Sequence, residues 1–340
     1  MSRAILCFGE LLIRLAPPAR TRLAQAAQLD LQVGGAEANV AAGLAQFGHV
    51  VQMLSVLPDH ALGDLVLAAL RAKGVDTDPI RRQPGRMGLY FLEQGAMRRA
   101  SEVLYDRAGS VFAAIDPAEF DWPSLLRNVG HVHLSGVTPA LNARAAQCAI
   151  EAAQAARRLG CSLSMDGNFR GSLWKVWNGD APALLRSMMQ EANVLFASQR
   201  DIELVLGARF DTTDSADQQF RKAAVTAFQA FPHLQQFTCT HRVVLSAGRQ
   251  QLAGLLALRD GTILQSAPYT LDDIVDRIGA GDAFASGFLH GLLQGWPMQR
   301  CLDFALAAGA HKHSVPGDMP VASERDIEAW IQAEQADVKR

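Results

Sequence analysis

The stretch "DRIGAGDAFASGF", residues 276–288, places an aspartate directly behind two glycines, where an apolar run with helical spacing begins. In open α/β sheets, ligands bind where a loop leaving the carboxyl end of a strand enters a helix. The first N–H groups of that helix have no internal partners and carry partial positive charge. Gly279, Ala280 and Gly281 therefore predict an anion hole suited to phosphate oxygens. Asp282 has two interpretations of equal weight: a helix N-cap, or the base that takes the proton of an attacking hydroxyl.

The rest of the 340-residue chain alternates between strand-like and helix-like segments. Residues 4–10, 131–136 and 162–168 are short apolar runs typical of buried strands, whereas residues 36–48 and 142–159 have helical periodicity. Near-continuous apolar strands separated by amphipathic helices predict a mostly parallel sheet that is covered on both faces.

Two segments, 12–33 and 86–109, interrupt this alternation with short-period patterns that lack a helix. We interpret them as strands of a small, discontinuous β lid, because such insertions often cover active sites. The α/β core then comprises residues 1–11, 34–85 and 110–340. The alternative is that the two segments add edge strands to the main sheet.

Composition excludes several classes of partner. The net charge is −2 and no basic block stands out, so neither a nucleic acid nor an anionic membrane surface is expected to bind. No apolar run approaches the roughly 20 residues that a membrane helix needs. The five cysteines are scattered without a C-x-x-C pair, which predicts reduced thiols in a cytoplasmic protein.

Other nucleotide-binding motifs are absent. The sequence contains neither G-x-x-x-x-G-K-[ST] nor a G-x-G-x-x-G that follows a strand, which disfavours a P-loop ATPase and a nicotinamide dehydrogenase. A second glycine pair, Gly34 and Gly35, precedes a predicted helix that carries Asn39. This pair either brings backbone close to a small polar ligand or makes only a tight turn. His311 and His313 splay apart on a helix, so we interpret them as a helix end near an adenine pocket, not as metal ligands.

Together, "GGAEANVA" (34–41) and "DRIGAGDAFASGF" resemble the two signatures of the ribokinase-like (PfkB) carbohydrate kinases, in order and spacing. The resemblance covers nearly the whole chain and is closest to the 2-keto-3-deoxygluconate kinase branch. It implies a three-layer α/β sandwich with a mostly parallel central sheet and a small β lid. It also implies ATP and Mg²⁺ as cofactors and phosphorylation of the 6-hydroxyl of a sugar acid.

The resemblance assigns roles to individual residues. Asp282 would be the base, with Gly279, Ala280 and Gly281 as the anion hole. The predicted substrate-binding residues are Gly34, Gly35, Asn39, Tyr90, Tyr105, Arg107, Asp166, Asn168 and Arg170. The predicted nucleotide-binding residues are Ser198, Ser246, Gly248, Gly279, Gly281 and His311.

Some of these assignments have open alternatives. Asp166 and Asn168 either orient water around Mg²⁺ and the phosphates or cap a turn. Ser198 and Asp201 replace the family's Asn-x-x-Glu pattern, so Asp201 is assigned to Mg²⁺ only through water.

Arg107 and Arg170 are the residues that point to an acidic substrate. If both enter the pocket, their guanidinium groups can bind a carboxylate bidentately, and a neutral hexose offers no such group. The alternative is that each forms an ordinary surface ion pair.

Asp276 lies just before the anion hole. Either it pairs with its neighbour Arg277, or its loop binds the monovalent cation that many relatives use. Arg277 replaces the small hydroxylated residue common in cation-dependent members, which favours a structural role for Asp276.

The sequence therefore predicts an ATP- and Mg²⁺-dependent kinase of 2-keto-3-deoxygluconate. Apolar lid faces around Tyr90 and Leu104 predict a homodimer through the lid. The rival hypotheses are a neutral-sugar kinase of the same fold, of the fructose or ribose type, and a sugar-acid sensor without turnover.

Overall fold

The computed structural model describes residues 3–18 and 20–333. Its strands are β1 (Ala4–Phe8), β2 (Leu12–Ala16), β3 (Asp30–Gly34), β4 (Val51–Leu54), β5 (Val56–Pro58), β6 (Arg81–Gln83), β7 (Gly88–Glu93), β8 (Glu102–Asp106), β9 (Val129–Ser135), β10 (Ser162–Asp166), β11 (Val194–Phe196), β12 (Gln236–Ser246), β13 (Arg249–Leu258), β14 (Ile263–Gln265) and β15 (Tyr269–Leu271). Its helices are α1 (Ala36–Gln46), α2 (Ala61–Arg71), α3 (Trp122–Leu125), α4 (Ala143–Arg158), α5 (Gly171–Trp177), α6 (Ala181–Met189), α7 (Gln199–Leu206), α8 (Ala216–Ala230), α9 (Ala280–Leu293), α10 (Met298–Lys312) and α11 (Glu324–Gln332). In these ranges, no helix combines the length and apolar character needed to cross a bilayer.

A nine-stranded sheet forms the centre of the fold. Its order is β14-β13-β12-β11-β10-β9-β1-β4, with β15 also paired to β13, and the strands from β4 to β12 run parallel. Alternate residues of β1 enter different cores: Leu6 and Phe8 pack in the cluster that includes α4, and Ile5 and Cys7 in the cluster that includes α1 and α9. Apolar side chains on both faces of the strand bind helices on both sides, which confirms the predicted three-layer fold class.

A separate four-stranded sheet has the order β3-β2-β7-β8. The β2–β7 pair is parallel and the other two pairs are antiparallel. One face of this sheet, which we call the inner lid face, packs Leu12, Ala16, Tyr90 and Leu92 against Ile278, in the loop that precedes α9. The small sheet is therefore in contact with the stretch that the sequence marks as functional.

The segments predicted as the lid, 12–33 and 86–109, contain the four strands of this sheet except for Gly34 at the end of β3. The division of the chain into a core and a lid that move relative to each other remains a prediction. Residues 1–2, 19 and 334–340, which fall within the predicted segments, lie outside the described residues.

Candidate active site

The glycine-rich turn at Gly279 opens α9. Gly279 is the N-cap residue and has a left-handed backbone, with φ of 80°. A side chain at this position would overlap the backbone carbonyl of Asp318, so the turn requires glycine. Gly281 is exposed, and a Cβ there would meet no atom within 4 Å. The first turn of α9 thus presents backbone N–H groups beside open space, as a phosphate site requires.

Asp282 lies in this first turn but does not cap the helix, because Gly279 holds the N-cap position. The N-cap interpretation of Asp282 is therefore wrong. Its Oδ2 instead accepts a hydrogen bond of 2.7 Å from Asn39 Nδ2, in the first turn of α1. The N-termini of α1 and α9 therefore meet at one carboxylate, and both helix dipoles favour negative charge there.

Burial raises the pKa of Asp282 to about 7. The Asn39 hydrogen bond and the positive charge of Arg170 lower this pKa, whereas the carboxylates of Asp318 and Glu37 raise it. A carboxylate with a pKa near neutral pH is ionised often enough to accept a proton and basic enough to hold it. The geometry and the electrostatics of Asp282 both suit a general base.

The second glycine pair lies directly beside the first site. Gly35 connects β3 to α1 with φ of 144°, and a Cβ there would overlap the carbonyl oxygen of Glu10. A Cβ at Gly34 would overlap the carboxyl group of Asp318. Both glycines are thus required by close packing. The hydrogen bond from Asn39 links this segment to Asp282, and Gly34 and Gly279 both pack against Asp318.

Asp166 and Asn168 follow the carboxyl end of β10. Asp166 Oδ1 accepts a hydrogen bond of 2.9 Å from the Asn168 backbone N–H, so the turn-capping interpretation describes one of its contacts. Burial, and after it the negative charges of Asp282 and Asp201, raise the pKa of Asp166 to about 7. Asp166 is thus close enough to Asp282 and Asp201 to be affected by their charges.

Ser198 and Asp201 form a capping box at the start of α7. Asp201 Oδ2 accepts hydrogen bonds of 2.7 Å from both the backbone N–H and the hydroxyl of Ser198. The other oxygen, Oδ1, lies toward Gly167, 3.0 Å from the position of a Cβ there. The predicted contacts of Ser198 with a nucleotide and of Asp201 with Mg²⁺-bound water would add to this helix cap.

The two arginines have different environments. Arg107 is buried, and its Nε donates to Glu10 Oε2 at 2.6 Å, with Nη2 paired to the same oxygen. Arg170 is exposed and, along the part of the chain described, has no carboxylate partner, while its charge lowers the pKa values of Asp166 and Asp282. Arg170 is therefore the arginine that is available to a ligand, and Arg107 would have to share its donors with Glu10.

Tyr90 and Tyr105 are neighbours on β7 and β8, with ring centroids 6.4 Å apart. Tyr90 is only 6% exposed, and its hydroxyl donates to Asp318. The prediction that Tyr90 belongs to an exposed lid face is wrong, because Tyr90 lies on the inner lid face. Tyr105 is 36% exposed at the rim of the same face.

The remaining predicted nucleotide residues are spread over two places. Ser246 is the last residue of β12, and Gly248 lies in the turn that leads to β13. Ser246 lines a cavity of about 990 Å³ between this hairpin and the inner lid face. Asp282 and His311 do not line this cavity. The His311 ring instead lies against Trp330, 5.4 Å between centroids.

Asp276 is buried and pairs with Arg14 at 2.7 Å. The predicted pair with Arg277 is wrong: Arg277 donates to the backbone carbonyls of Ser246 and Ala247. Those carbonyls position the Arg277 guanidinium at the β12–β13 turn. The partner of Asp276 is instead Arg14 on the lid strand β2.

Three residues of the site escaped the sequence analysis. Asp318 packs against Gly34 and Gly279 and accepts a hydrogen bond from Tyr90. It lies in a loop without helix or strand periodicity. Glu37 is buried beneath the site and accepts hydrogen bonds from Ser135 and Thr138. Arg14 occupies an ordinary strand position. The one available signal was indirect, since Gly34 and Gly279 leave room for another group to approach.

Comparison with known proteins places this geometry in context. The model of the "pfkB family carbohydrate kinase" matches residues 2–325. The chain is 32% identical over 340 residues to a 2-dehydro-3-deoxygalactonokinase of Haloferax volcanii, with complete coverage of both chains.

Solved structures agree in fold. The structure of a 2-dehydro-3-deoxygluconokinase from Thermotoga maritima superposes with a TM-score of 0.91 at 36% identity, covering 97% of this chain and all of the other. A putative ribokinase II from E. coli in complex with ATP and Mg²⁺ has a TM-score of 0.81 at 17% identity, over 98% of this chain and 99% of that one. Signature loops, architecture and full-length similarity agree, and the chain belongs to the pfkB family of carbohydrate kinases.

Proposed function

We propose that the protein transfers the γ-phosphoryl group of ATP to the 6-hydroxyl of 2-keto-3-deoxygluconate, which is also called 2-dehydro-3-deoxygluconate. The observation that carries the proposal is the placement of Asp282, a carboxylate with raised pKa at the mouth of the glycine-rich turn. The names of the two relatives above, one a galactonokinase and one a gluconokinase, support a 2-keto-3-deoxy sugar acid.

In the proposed reaction, Asp282 accepts the proton of the substrate's 6-hydroxyl while the oxygen of that hydroxyl attacks the γ-phosphorus. The bond from the γ-phosphorus to the bridging oxygen breaks, and that oxygen leaves with ADP. The N–H groups from Gly279 to Gly281 stabilise the charge that develops on the phosphoryl oxygens. Asn39 holds the Asp282 carboxylate in place during the transfer.

The residues present fit ATP and Mg²⁺. The open space at Gly281 suits a phosphate. Asp166 lies within electrostatic reach of Asp201 and Asp282 and supplies the oxygen ligands that Mg²⁺ prefers, and since no three such side chains in the described residues are placed to hold an ion directly, the contact would run through water. Asp166 and Asp201 would hold Mg²⁺ through its water. When bound, the ion neutralises the phosphate oxygens. Because ATP is the second substrate, the proposal places the enzyme in the cytoplasm.

The first test measures ADP release with ATP and Mg²⁺. The substrates are 2-keto-3-deoxygluconate, its galacto epimer, fructose, ribose and gluconate. Turnover confined to the keto-deoxy acids supports the proposal. Preference for fructose or ribose would replace the substrate and keep the kinase, and binding of the acid without turnover would favour the sensor.

Substitution of Arg170 tests the carboxylate contact. Arg170→Ala is expected to raise the KM for the sugar acid about 10- to 100-fold with a smaller change in the KM for ATP, since a charge-assisted pair is lost. Arg200→Ala removes another exposed arginine without a carboxylate partner in the described chain and serves as the control. An unchanged KM in Arg170→Ala would contradict the contact.

We also propose a homodimer through the outer lid face, opposite the inner lid face. One row across the four strands is entirely apolar there: Leu31, Leu15, Phe91 and Leu104. Leu31 is 41% and Leu104 47% exposed, so this row gains from burial.

Leu104→Glu is expected to convert the dimer to a monomer in sedimentation velocity at micromolar concentration, because a charge would be buried in the interface. Leu159→Glu, at a 45% exposed leucine that ends α4, is the control and should stay dimeric. A wild-type protein that sediments only as a monomer would refute the dimer.

A further inference from the structure

Arg14 is a buried arginine that links the lid to the glycine-rich turn. It lies on β2, and its side chain is 3% exposed on the inner lid face. Nη2 is 2.7 Å from Asp276 Oδ2, and Nη1 is 3.0 Å from Asp318 Oδ1. Gln32 on β3 accepts a further hydrogen bond from Nη2. One guanidinium therefore contacts two acids from two different loops, through a hydrogen bond to Asp276 and an ion pair without hydrogen-bond geometry to Asp318.

These two acids determine where the glycine-rich turn sits. Asp276 accepts hydrogen bonds of 3.0 Å from the backbone N–H groups of Ile278 and Gly317. The backbone carbonyl of Asp318 packs directly against Gly279. Hydrogen bonding and packing thus connect the loop that enters α9 to the loop around residue 317, and Arg14 contacts both loops.

The charges of this cluster balance without a bound ion. Lys312 is buried, and its Nζ donates to the Val315 carbonyl at 3.0 Å. Its charge interacts with the carboxylates of Asp276 and Asp318 without a direct ion pair in the described part of the chain. Two carboxylates therefore face one guanidinium and one ammonium group. A monovalent cation, which was one of the two alternatives for the Asp276 loop, has no uncompensated charge to neutralise. The residues present do not fit such a cation.

We propose that Arg14 is a built-in counter-ion that takes the place of a diffusible monovalent cation at the glycine-rich turn. The inference rests on the proposed kinase function and makes Arg14 a positioning residue, since it acts on the phosphate site through Asp276 and Asp318. Because the guanidinium comes from the lid sheet, the position of β2 and the geometry of the anion hole depend on each other.

The first experiment replaces the salt. We expect the kcat of the wild-type enzyme to change less than about twofold when KCl is replaced by NaCl or tetramethylammonium chloride at equal ionic strength. The melting temperature is expected to be the same in the three salts. A requirement for K⁺ in either measurement would overturn the proposal.

The second experiment removes the guanidinium and returns it. Arg14→Ala is expected to lower kcat at least 100-fold and to lower the melting temperature. Guanidinium chloride at 10–50 mM should then raise the kcat of Arg14→Ala at least tenfold. It should also raise the melting temperature of this variant and of no other. Arg249→Ala, which breaks an exposed pair with Asp272, is the control and should show neither the loss nor the rescue.

Each outcome decides the matter. Full activity of Arg14→Ala, or a loss of activity that neither guanidinium nor KCl reverses, would refute the role of Arg14 as a counter-ion. If Arg14→Ala does not fold, Arg14→Met combined with Asp276→Asn removes both opposite charges, and recovery of folding by the second substitution is the expected result. The melting measurements need no substrate, so a wild-type protein without turnover would count against the proposed function alone.

Discussion

Replacement of Asp282 by asparagine is expected to lower kcat about 10³-fold or more while leaving the fold intact. The substitution removes the proposed general base, and positioned bases contribute about 10²- to 10⁴-fold to such reactions. An asparagine side chain can keep the contact with Asn39, so substrate and ATP should still bind. Steady-state kinetics of ADP release, with binding of both ligands measured by calorimetry, check this expectation. Wild-type kcat in the variant would show that another group takes the proton.

The pH dependence gives the same residue a second, independent signature. Because the pKa of Asp282 is raised to about 7, activity should fall about tenfold per pH unit below 7 and reach a plateau above it. A flat profile between pH 5.5 and 8 would exclude a base with this pKa.

Asp282→Asn should be more stable than the wild type at high pH, although it is expected to be far less active. A carboxylate whose pKa is raised by folding lowers the free energy of unfolding as the pH rises from about 4 through 7, since its charged form is disfavoured in the folded protein. Asp282→Asn removes this cost and should melt a few degrees above the wild type at pH 8. The difference should shrink at pH 5. Equal melting temperatures at pH 8 would indicate that the carboxylate is better hydrated than its burial implies.

Replacement of Gly279 by alanine should damage both folding and catalysis. The new Cβ would overlap the carbonyl oxygen of Asp318, and the left-handed backbone at φ 80° disfavours any side chain. We expect a loss of about 2 kcal/mol or more in the free energy of unfolding. We also expect a kcat reduction of about 100-fold, because displacing the turn would move the proposed anion hole away from the phosphoryl group. Urea unfolding and kinetics at saturating ATP measure the two effects.

Gly281→Ala is the matched control within the same turn. Its Cβ meets no atom within 4 Å and its backbone is helical, so stability should stay the same or rise by up to about 1 kcal/mol. Any loss in this variant should appear in the KM for ATP, because the methyl group would enter the space proposed for a phosphate. Equal stability losses in the two variants would contradict the packing argument at Gly279.

The fold followed directly from the sequence, because hydrophobic periodicity is a local property. The spacing of apolar residues predicts strands that are buried on both faces, such as β1, and helices such as α9. The same holds for the glycine-rich turn, where glycines followed by an apolar helix specify backbone conformation within a few residues. The four strands of the small sheet were predictable for the same reason.

What the sequence could not determine is which polar groups meet across the chain. Asp276 was expected beside Arg277 or a bound cation, and its partner is Arg14 from the other end of the chain. Arg107, expected to bind a carboxylate of the substrate, holds Glu10. Tyr90 turns its hydroxyl inward to Asp318. Many acidic and basic side chains in the chain are chemically equivalent. Which of them pair depends on which become buried together, because an unpaired buried charge is costly. Periodicity and spacing therefore determined the sheet, its helices and the glycine-rich turn. The charge pairs around that turn were decided only by tertiary packing, which brings residues far apart in sequence into a common low-dielectric environment.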